Sequence, residues 1–118
     1  MVAIGGASGA LSRYALDRAV ISMLGPTVLG TFIINISGSF ALGLFLGAAA
    51  DRTGWPPELR FLVAVGFLGS YTTFSTLTVA SVQLAQSGEI ARAALNLFGS
   101  IAVGVAAALL GILAGRSV

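Results

Sequence analysis

Three short polar interruptions divide this chain into four long apolar stretches. The stretches cover residues 2–23, 27–50, 58–86 and 90–115. The interruptions are Gly25-Pro26, the loop from Asp51 to Glu58, and Ser87-Gly88-Glu89. A helix that crosses a bilayer needs about 20 apolar residues, so each stretch is about long enough to span. We therefore expect an all-α membrane protein whose four transmembrane helices form a single domain over residues 1–118.

The composition supports the same class. Apolar residues make up 57% of the chain, charged residues make up 8%, and the mean hydropathy is +1.01, far outside the range of soluble domains. The first stretch lacks the basic start of a signal peptide, and Arg13, Asp17 and Arg18 interrupt it before a plausible cleavage site. We therefore expect this stretch to be retained as the first helix.

The charged residues and the missing residue types exclude several functions. The chain has six arginines, four acidic residues and a net charge of +2, which is too sparse for a nucleic-acid surface. It has no cysteine and no histidine, so thiolate and imidazole chemistry, the usual zinc sites and disulfides are all excluded. No set of base, nucleophile and metal ligands can be assembled, so we do not expect an enzyme.

The third stretch is too long for one straight crossing. Its 29 residues would form a helix of about 44 Å, whereas the hydrocarbon core is about 30 Å thick. It contains an uncharged run rich in glycine and hydroxyl groups, Gly66-Phe67-Leu68-Gly69-Ser70-Tyr71-Thr72-Thr73-Phe74-Ser75-Thr76. We predict that Gly66, Gly69 and the hydroxyl cluster mark a break in this helix. Polar backbone at membrane depth is tolerated only against protein or a water-filled path, so this run is the expected functional centre.

Polar side chains also follow one face of the second and fourth stretches. Thr31, Asn35 and Ser39 are spaced four residues apart, and Asn96 and Ser100 repeat this spacing. Such groups either join helices by hydrogen bonds or line an ion path. No acid or base lies near the centre of a stretch beyond the first, which disfavours a proton relay and a carboxylate cation site.

Neutral donors of this kind suit a small anion. Amide and hydroxyl groups can replace part of the hydration of an anion, and the positive edge of an aromatic ring can also approach it. The candidates for such rings are Phe32, Phe40, Phe67, Phe74 and Phe98. For most of these rings, packing in the core is the better interpretation.

Arg13 is a charged residue midway along the first stretch, with Asp17 one turn later. The two side chains could form a self-neutralising pair. Alternatively, Arg13 lines a wet vestibule that concentrates anions. An unpaired arginine that faces lipid is rejected because of its cost in free energy.

Small residues recur at a spacing of four along three stretches. The sets are Gly5 and Gly9, Gly43 and Gly47, and Ser100, Gly104 and Ala108. This spacing permits close packing of helices, either within one chain or between subunits.

The arginines are balanced between the two sides of the membrane. One side receives Arg52, Arg60 and Arg116, and the other receives Arg13, Arg18 and Arg92. Because an arginine bias sets orientation, a balanced chain can insert both ways and assemble as an antiparallel pair. Sparse arginine alone would also produce this tie.

Three segments, residues 5–14, 30–40 and 66–76, resemble the three signature blocks of the CrcB/Fluc fluoride channels. The resemblance covers nearly the whole chain, and the third block is its most specific part. It implies an antiparallel, dual-topology dimer in a bacterial or archaeal inner membrane. Each dimer would carry two narrow pores that export cytoplasmic fluoride passively and relieve its toxicity.

The resemblance also assigns roles to individual residues. Asn35 would be the pore asparagine and Phe74 a ring-edge phenylalanine beside the ion. The expected fluoride path consists of Thr31, Asn35, Thr73, Phe74, Ser75, Asn96 and Ser100, with Arg13 in the vestibule. The main-chain carbonyls of Gly69 and Thr72, from both subunits, would hold a structural Na⁺ at the dimer axis, and such carbonyls are suitable ligands for a hard cation.

Three positions depart from the pattern of that family. Leu77 stands where a second phenylalanine is usual, Ala80 where a glutamate is frequent, and Asn96 where a tyrosine is common. These departures fit either a weak homodimeric channel or one subunit of a heterodimer whose homologous partner supplies the missing groups.

Two readings from other classes are less well supported. A small multidrug transporter needs a glutamate embedded in the first helix, where this chain offers only Asp17 near one end. A purely structural role would require the polar side chains to face neighbouring helices.

Overall fold

The computed structural model describes all 118 residues and consists of helices joined by short loops, without strands. The helices are α1 (Val2–Leu24), α2 (Leu29–Ala49), α3 (57–71), α4 (Phe74–Gln86) and α5 (Ile90–Arg116). Within α3, a π-helix at Phe61–Leu68 lies between the short α-helical segments Pro57–Arg60 and Gly69–Tyr71. The four predicted stretches are confirmed to within two residues at each end, and the third is divided between α3 and α4.

Three of the four stretches are long and apolar enough to cross a membrane. They are α2, the combined run Pro57–Gln86 and α5. A multi-pass membrane protein is therefore supported. Helix α1 has a comparable length, 23 residues, but it carries the charged side chains of Arg13, Asp17 and Arg18. Length and composition therefore do not by themselves identify α1 as a helix that crosses the membrane.

Glycines bring α2 and α5 into close contact. A side chain at Gly43 would overlap the carbonyl oxygen of Ala108, and one at Gly111 would overlap that of Phe40. Gly47 and Gly115 extend the same seam by one helical turn. The small residues at 43, 47 and 108 therefore pack within one chain, as one of the two interpretations predicted.

Helix α1 packs in the same manner against α3. A side chain at Gly9 would overlap the carbonyl oxygen of Phe67, and Gly5 meets the backbone around Gly66. The α3 residues in this contact belong to the π-helix, in which the backbone is wider than in an α-helix. The close approach leaves no room for a Cβ at Gly5, Gly9 or Gly66.

The predicted break in the third stretch is confirmed, but the glycines do not form it. Gly66 lies within the π-helix, and Gly69 has the helical angles φ −62° and ψ −33°. The chain leaves helical geometry at Thr72 (φ −80°, ψ 157°) and Thr73 (φ −147°, ψ 118°). Threonine is stiff and β-branched, and its hydroxyl offers the backbone hydrogen bonds that compete with a helix, so two in succession end α3.

Candidate ion path at the helix break

The side chain of Asn35 forms two hydrogen bonds with the backbone at the break. Its Nδ2 donates to the carbonyl oxygen of Thr73 at 2.9 Å, and its Oδ1 accepts from the Thr73 backbone N–H at 2.8 Å. These bonds satisfy both main-chain groups of a residue that has left the helix. An asparagine amide carries two N–H donors, so one Nδ2 hydrogen remains for another acceptor.

The hydroxyl of Thr73 begins the next helix. Its Oγ1 accepts from the backbone N–H of Thr76 at 3.3 Å, which is the usual N-cap arrangement. It also donates to Thr76 Oγ1 at 3.2 Å and lies 3.4 Å from Ser75 Oγ. The three hydroxyls therefore form one polar cluster at the start of α4.

Because Thr73 N–H and Thr76 N–H donate to side chains, two main-chain carbonyl groups lose their usual helical donors. In a continuous helix, Thr73 N–H would donate to the oxygen of Gly69, and Thr76 N–H would donate to that of Thr72. Here the first donates to Asn35 Oδ1 and the second to Thr73 Oγ1. The carbonyls of Gly69 and Thr72, to which the family resemblance assigns Na⁺, thus lose the partners that an uninterrupted helix would give them.

An open groove of about 400 Å³ runs beside the break, between α2, α4 and α5. Its polar lining includes Asn35, Ser39, Thr72, Thr73 and Ser100, and its apolar lining includes Phe74 and Leu77. The groove therefore brings together four of the seven expected path residues, namely Asn35, Thr73, Phe74 and Ser100.

Ser100 is the most unusual residue in this groove. It is 5% exposed, and its Oγ is the one buried side-chain polar atom in the chain without a hydrogen-bond partner. A buried hydroxyl without a partner costs about 1–3 kcal/mol, and most buried polar groups are paired. A residue of the groove lining thus carries a buried donor that has no partner within the chain.

The ring of Phe74 lies at the open side of the groove. It is 71% exposed, and the neighbouring Ser75 is also exposed. The Phe74 ring is therefore not part of the core of this chain. It is available to contact an ion, lipid or another subunit. Leu77, one turn later, is by contrast only 5% exposed.

A smaller cavity of about 170 Å³ lies on the other side of Thr73. Arg13, Asp17, Thr31, Thr73 and Thr76 provide its polar lining, together with Tyr14. The only ion pair in the structure is the one between Arg92 and Glu89, so Arg13 and Asp17 do not form the pair considered from the sequence. Both instead line one small cavity. The vestibule interpretation of Arg13 stays a prediction. Because Thr73 lines both cavities, the groove and this smaller cavity adjoin each other at Thr73.

Asn96 lies apart from the groove. Its Nδ2 donates to Ser81 Oγ at 3.0 Å, and Ser81 Oγ in turn donates to the carbonyl oxygen of Leu77 at 2.8 Å. Asn96 lines a different cavity of about 430 Å³ with Phe32, Arg92 and Leu95. The structure therefore gives Asn96 a contact that joins α5 to α4.

Two contacts near the site carried no clear signal in the sequence. Ser81, which pairs with Asn96, is one of four hydroxyl residues in α4, and nothing in the sequence distinguishes it from the others. Tyr71 shares a hydrogen bond of 3.0 Å with Ser37 and stacks on Phe67 with 5.8 Å between ring centroids. The hydroxyl of Ser37, two residues after Asn35, was the one available hint of the second contact.

Known proteins resemble this chain over nearly its full length. The family model described as "CrcB-like protein, Camphor Resistance (CrcB)" matches residues 1–112. A fluoride-specific ion channel FluC from Magnetococcus marinus is 44% identical over 116 residues, which cover 98% of this chain and 94% of the relative.

Two further relatives carry the same name. The FluC of Maridesulfovibrio salexigens is 40% identical over 98% of this chain and 92% of its own length. That of Synechococcus sp. (strain JA-2-3B'a(2-13)) is 43% identical over 98% of this chain and 89% of its own length. Both similarities extend through all the helices described above.

Proposed function

This chain belongs to the CrcB-like family, and from that premise we propose that it is a fluoride channel through which the ion crosses a membrane passively. Its similar relatives are named as ion channels rather than enzymes. The absence of cysteine and histidine is consistent with a role that needs no catalytic group.

The observation that carries the proposal is the unpaired donor in the groove. Ser100 Oγ is buried without a partner, and Asn35 keeps one free Nδ2 hydrogen in the same groove. Both are neutral donors, so they attract an anion without the strong binding that a full positive charge would give. Conduction requires an ion to enter readily and also to leave.

The proposed path runs past the break. From the vestibule of Arg13 and Thr31, the ion passes Thr73 and Asn35 and then reaches Ser100 and the ring edge of Phe74. The hydroxyl of Ser75, in the cluster with Thr73, adds a donor near this point. Asn96 lies outside this path, and its bond to Ser81 joins α5 to α4.

The break also fits a structural Na⁺. The carbonyls of Gly69 and Thr72 would hold it, because oxygen ligands suit a hard cation and both groups lack their helical donors. When bound, the ion would neutralise the negative ends of these carbonyl dipoles and so stabilise the extended residues between α3 and α4.

A second subunit would close the groove. The groove is open on the side of Phe74, and large apolar side chains such as Leu95 (73% exposed) and Phe98 (65% exposed) lie uncovered on α5. Together with the balanced arginines, these features support an antiparallel pair of identical chains in a bacterial or archaeal inner membrane, with one path on each side. In this arrangement the channel would let fluoride leave the cell.

The test is fluoride efflux from liposomes that contain the purified chain alone. We expect fast fluoride efflux, chloride efflux no faster than from protein-free liposomes, and slower fluoride efflux with Asn35→Ala. Equal rates for the two anions would contradict the proposal. Because Asn35→Ala also removes the contact with Thr73, the comparison of fluoride with chloride in the natural sequence carries the test.

A second candidate is a subunit that conducts only beside a homologous partner. It is favoured by Leu77, an aliphatic side chain that lines the groove where a ring edge is usual in the family. This candidate predicts no fluoride efflux from the folded chain alone, and efflux when a homologous chain is expressed with it.

A further inference from the structure

A separate cavity lies at the end of the molecule where α2 meets α3. It has a volume of about 380 Å³ and shares no residue with the groove or with the vestibule. Its lining combines two arginines with aromatic and aliphatic side chains. The residues that define it are Phe45, Arg52, Thr53, Trp55, Leu59 and Arg60.

The two arginines of this cavity differ in their contacts. Arg52 is fixed, since it donates to the carbonyl oxygens of Ala48 at 2.7 Å and Val118 at 2.9 Å. Its Cζ also lies 5.5 Å from the centroid of the Trp55 ring, within the range of a cation–π contact. Arg60 makes no ion pair and no side-chain hydrogen bond. One guanidinium group is thus held in place and the other remains available.

No acidic side chain balances these charges inside the cavity. Asp51 and Glu58 belong to the same loop, but neither lines the cavity or forms an ion pair. The charged side chains that line the cavity are both cationic, so the lining favours an anion. A phosphate group is an oxyanion whose geometry the planar donor fork of arginine matches.

The position of the cavity indicates where such a phosphate comes from. The molecule is 52 Å long, whereas the hydrocarbon core is about 30 Å thick, so its ends lie among the lipid headgroups. Trp55 contacts Phe45 with 5.7 Å between ring centroids, and interfacial tryptophans mark this depth. Phe45 and Leu59 provide an apolar wall beside the arginines, which suits the start of an acyl chain.

We propose that this cavity binds the headgroup phosphate of an anionic phospholipid. Basic pockets between helices at the membrane surface are suited to such headgroups. Arg60 contacts the phosphate directly, whereas Arg52 adds charge from a fixed position. Free phosphate shares the oxyanion chemistry but makes no use of the apolar wall. The proposal does not depend on fluoride conduction.

The test measures phospholipid binding to the detergent-purified chain by native mass spectrometry. Phosphatidylglycerol is compared with phosphatidylcholine, and Arg60→Gln is compared with Arg116→Gln. Arg116 is a matched control, because it is also exposed and lies at the same end, two residues before the Val118 carbonyl that Arg52 contacts. We expect Arg60→Gln to weaken phosphatidylglycerol binding about five- to tenfold and Arg116→Gln to leave it unchanged.

Three outcomes would overturn the proposal. Equal losses with Arg60→Gln and Arg116→Gln would indicate general attraction by charge. Equal binding of the two lipids by the natural sequence would exclude recognition of the anionic headgroup. Displacement of phosphatidylglycerol by inorganic phosphate at millimolar concentration would make free phosphate the ligand. Denaturant unfolding of Arg60→Gln in detergent, expected to match that of the natural sequence, verifies that the variant is folded.

Discussion

Two serines on neighbouring helices are buried to the same degree but have opposite surroundings. Ser81 on α4 is 6% exposed, donates to the carbonyl oxygen of Leu77 and accepts from Asn96. Ser100 on α5 is 5% exposed and has no partner. The protein uses Ser81 to join two helices, whereas it leaves the donor of Ser100 free. Burial alone therefore does not distinguish a structural hydroxyl from one that serves an ion, and the hydrogen bonds do.

The same contrast separates the two asparagines. Asn96 bonds to a side chain that already has a backbone partner. Asn35 instead bonds to both main-chain groups of Thr73, a residue with extended backbone angles at the break. Asn35 also lines the groove that contains Ser100. It therefore belongs to the structure and to the proposed path at once.

The largest expected effect on stability follows from loss of the Asn35 contact. Asn35→Leu leaves the N–H and the carbonyl of Thr73 without partners, and we expect the free energy of unfolding to fall by about 2–4 kcal/mol. Asn96→Leu, the matched control, should lower it by about 1 kcal/mol, since interhelical bonds in membranes are weak. Denaturant unfolding in detergent measures both values. Equal losses would show that the break does not depend on Asn35.

A smaller effect is expected from Ser81→Ala. The substitution leaves the amide of Asn96 without its acceptor, and we expect a loss of about 1 kcal/mol in the free energy of unfolding. Fluoride efflux should remain at the natural rate, because Ser81 lines neither the groove nor the vestibule. A large fall in efflux without a loss of stability would place Ser81 in the path.

The smallest expected effect, on the rate of fluoride efflux, concerns Leu77, which belongs both to the Ser81 contact and to the groove. Its carbonyl accepts the bond from Ser81, and its side chain lines the groove with Ser100. Leu77→Phe adds a ring edge to the groove, and we expect fluoride efflux to rise about twofold, which is a change of about 0.4 kcal/mol in the barrier. Leu77→Met is the control for a change of side chain without a ring. Unchanged efflux with Leu77→Phe would show that this position does not limit conduction.

The helices themselves could be predicted from the sequence because their boundaries depend on local chemistry. Gly25 and Gly88 adopt positive φ angles of 77° and 87° after α1 and α4, and Pro57 begins α3. Excess length likewise predicted the break. Its place followed in part, because Thr72 and Thr73 belong to the predicted hydroxyl cluster. Gly66, which was also expected at the break, instead lies within the π-helix and packs against Gly5, a residue more than 60 positions earlier.

The candidate site could be predicted in its residues but not in their contacts. Asn96 and Ser100 look equivalent in the sequence, since they share one helix face. Only the packing of α5 against α4 gives Asn96 a partner in Ser81 and leaves Ser100 without one. The bonds between Asn35 and Thr73 join positions 38 residues apart, which no local pattern encodes. In the same way, the spacing of Arg13 and Asp17 suggested a pair that the structure does not form.

The most direct test of this account is the rate of fluoride efflux from liposomes with Ser100→Ala and Ser81→Ala measured in parallel. We predict that Ser100→Ala slows efflux at least about tenfold, because a hydrogen bond to an ion contributes about 1.5–3 kcal/mol. We expect its free energy of unfolding to stay the same or to rise by up to about 1–3 kcal/mol, because the hydroxyl that it removes is buried without a partner. Natural efflux with Ser100→Ala, combined with a loss of stability like that of Ser81→Ala, would contradict the assignment of Ser100 to the ion path.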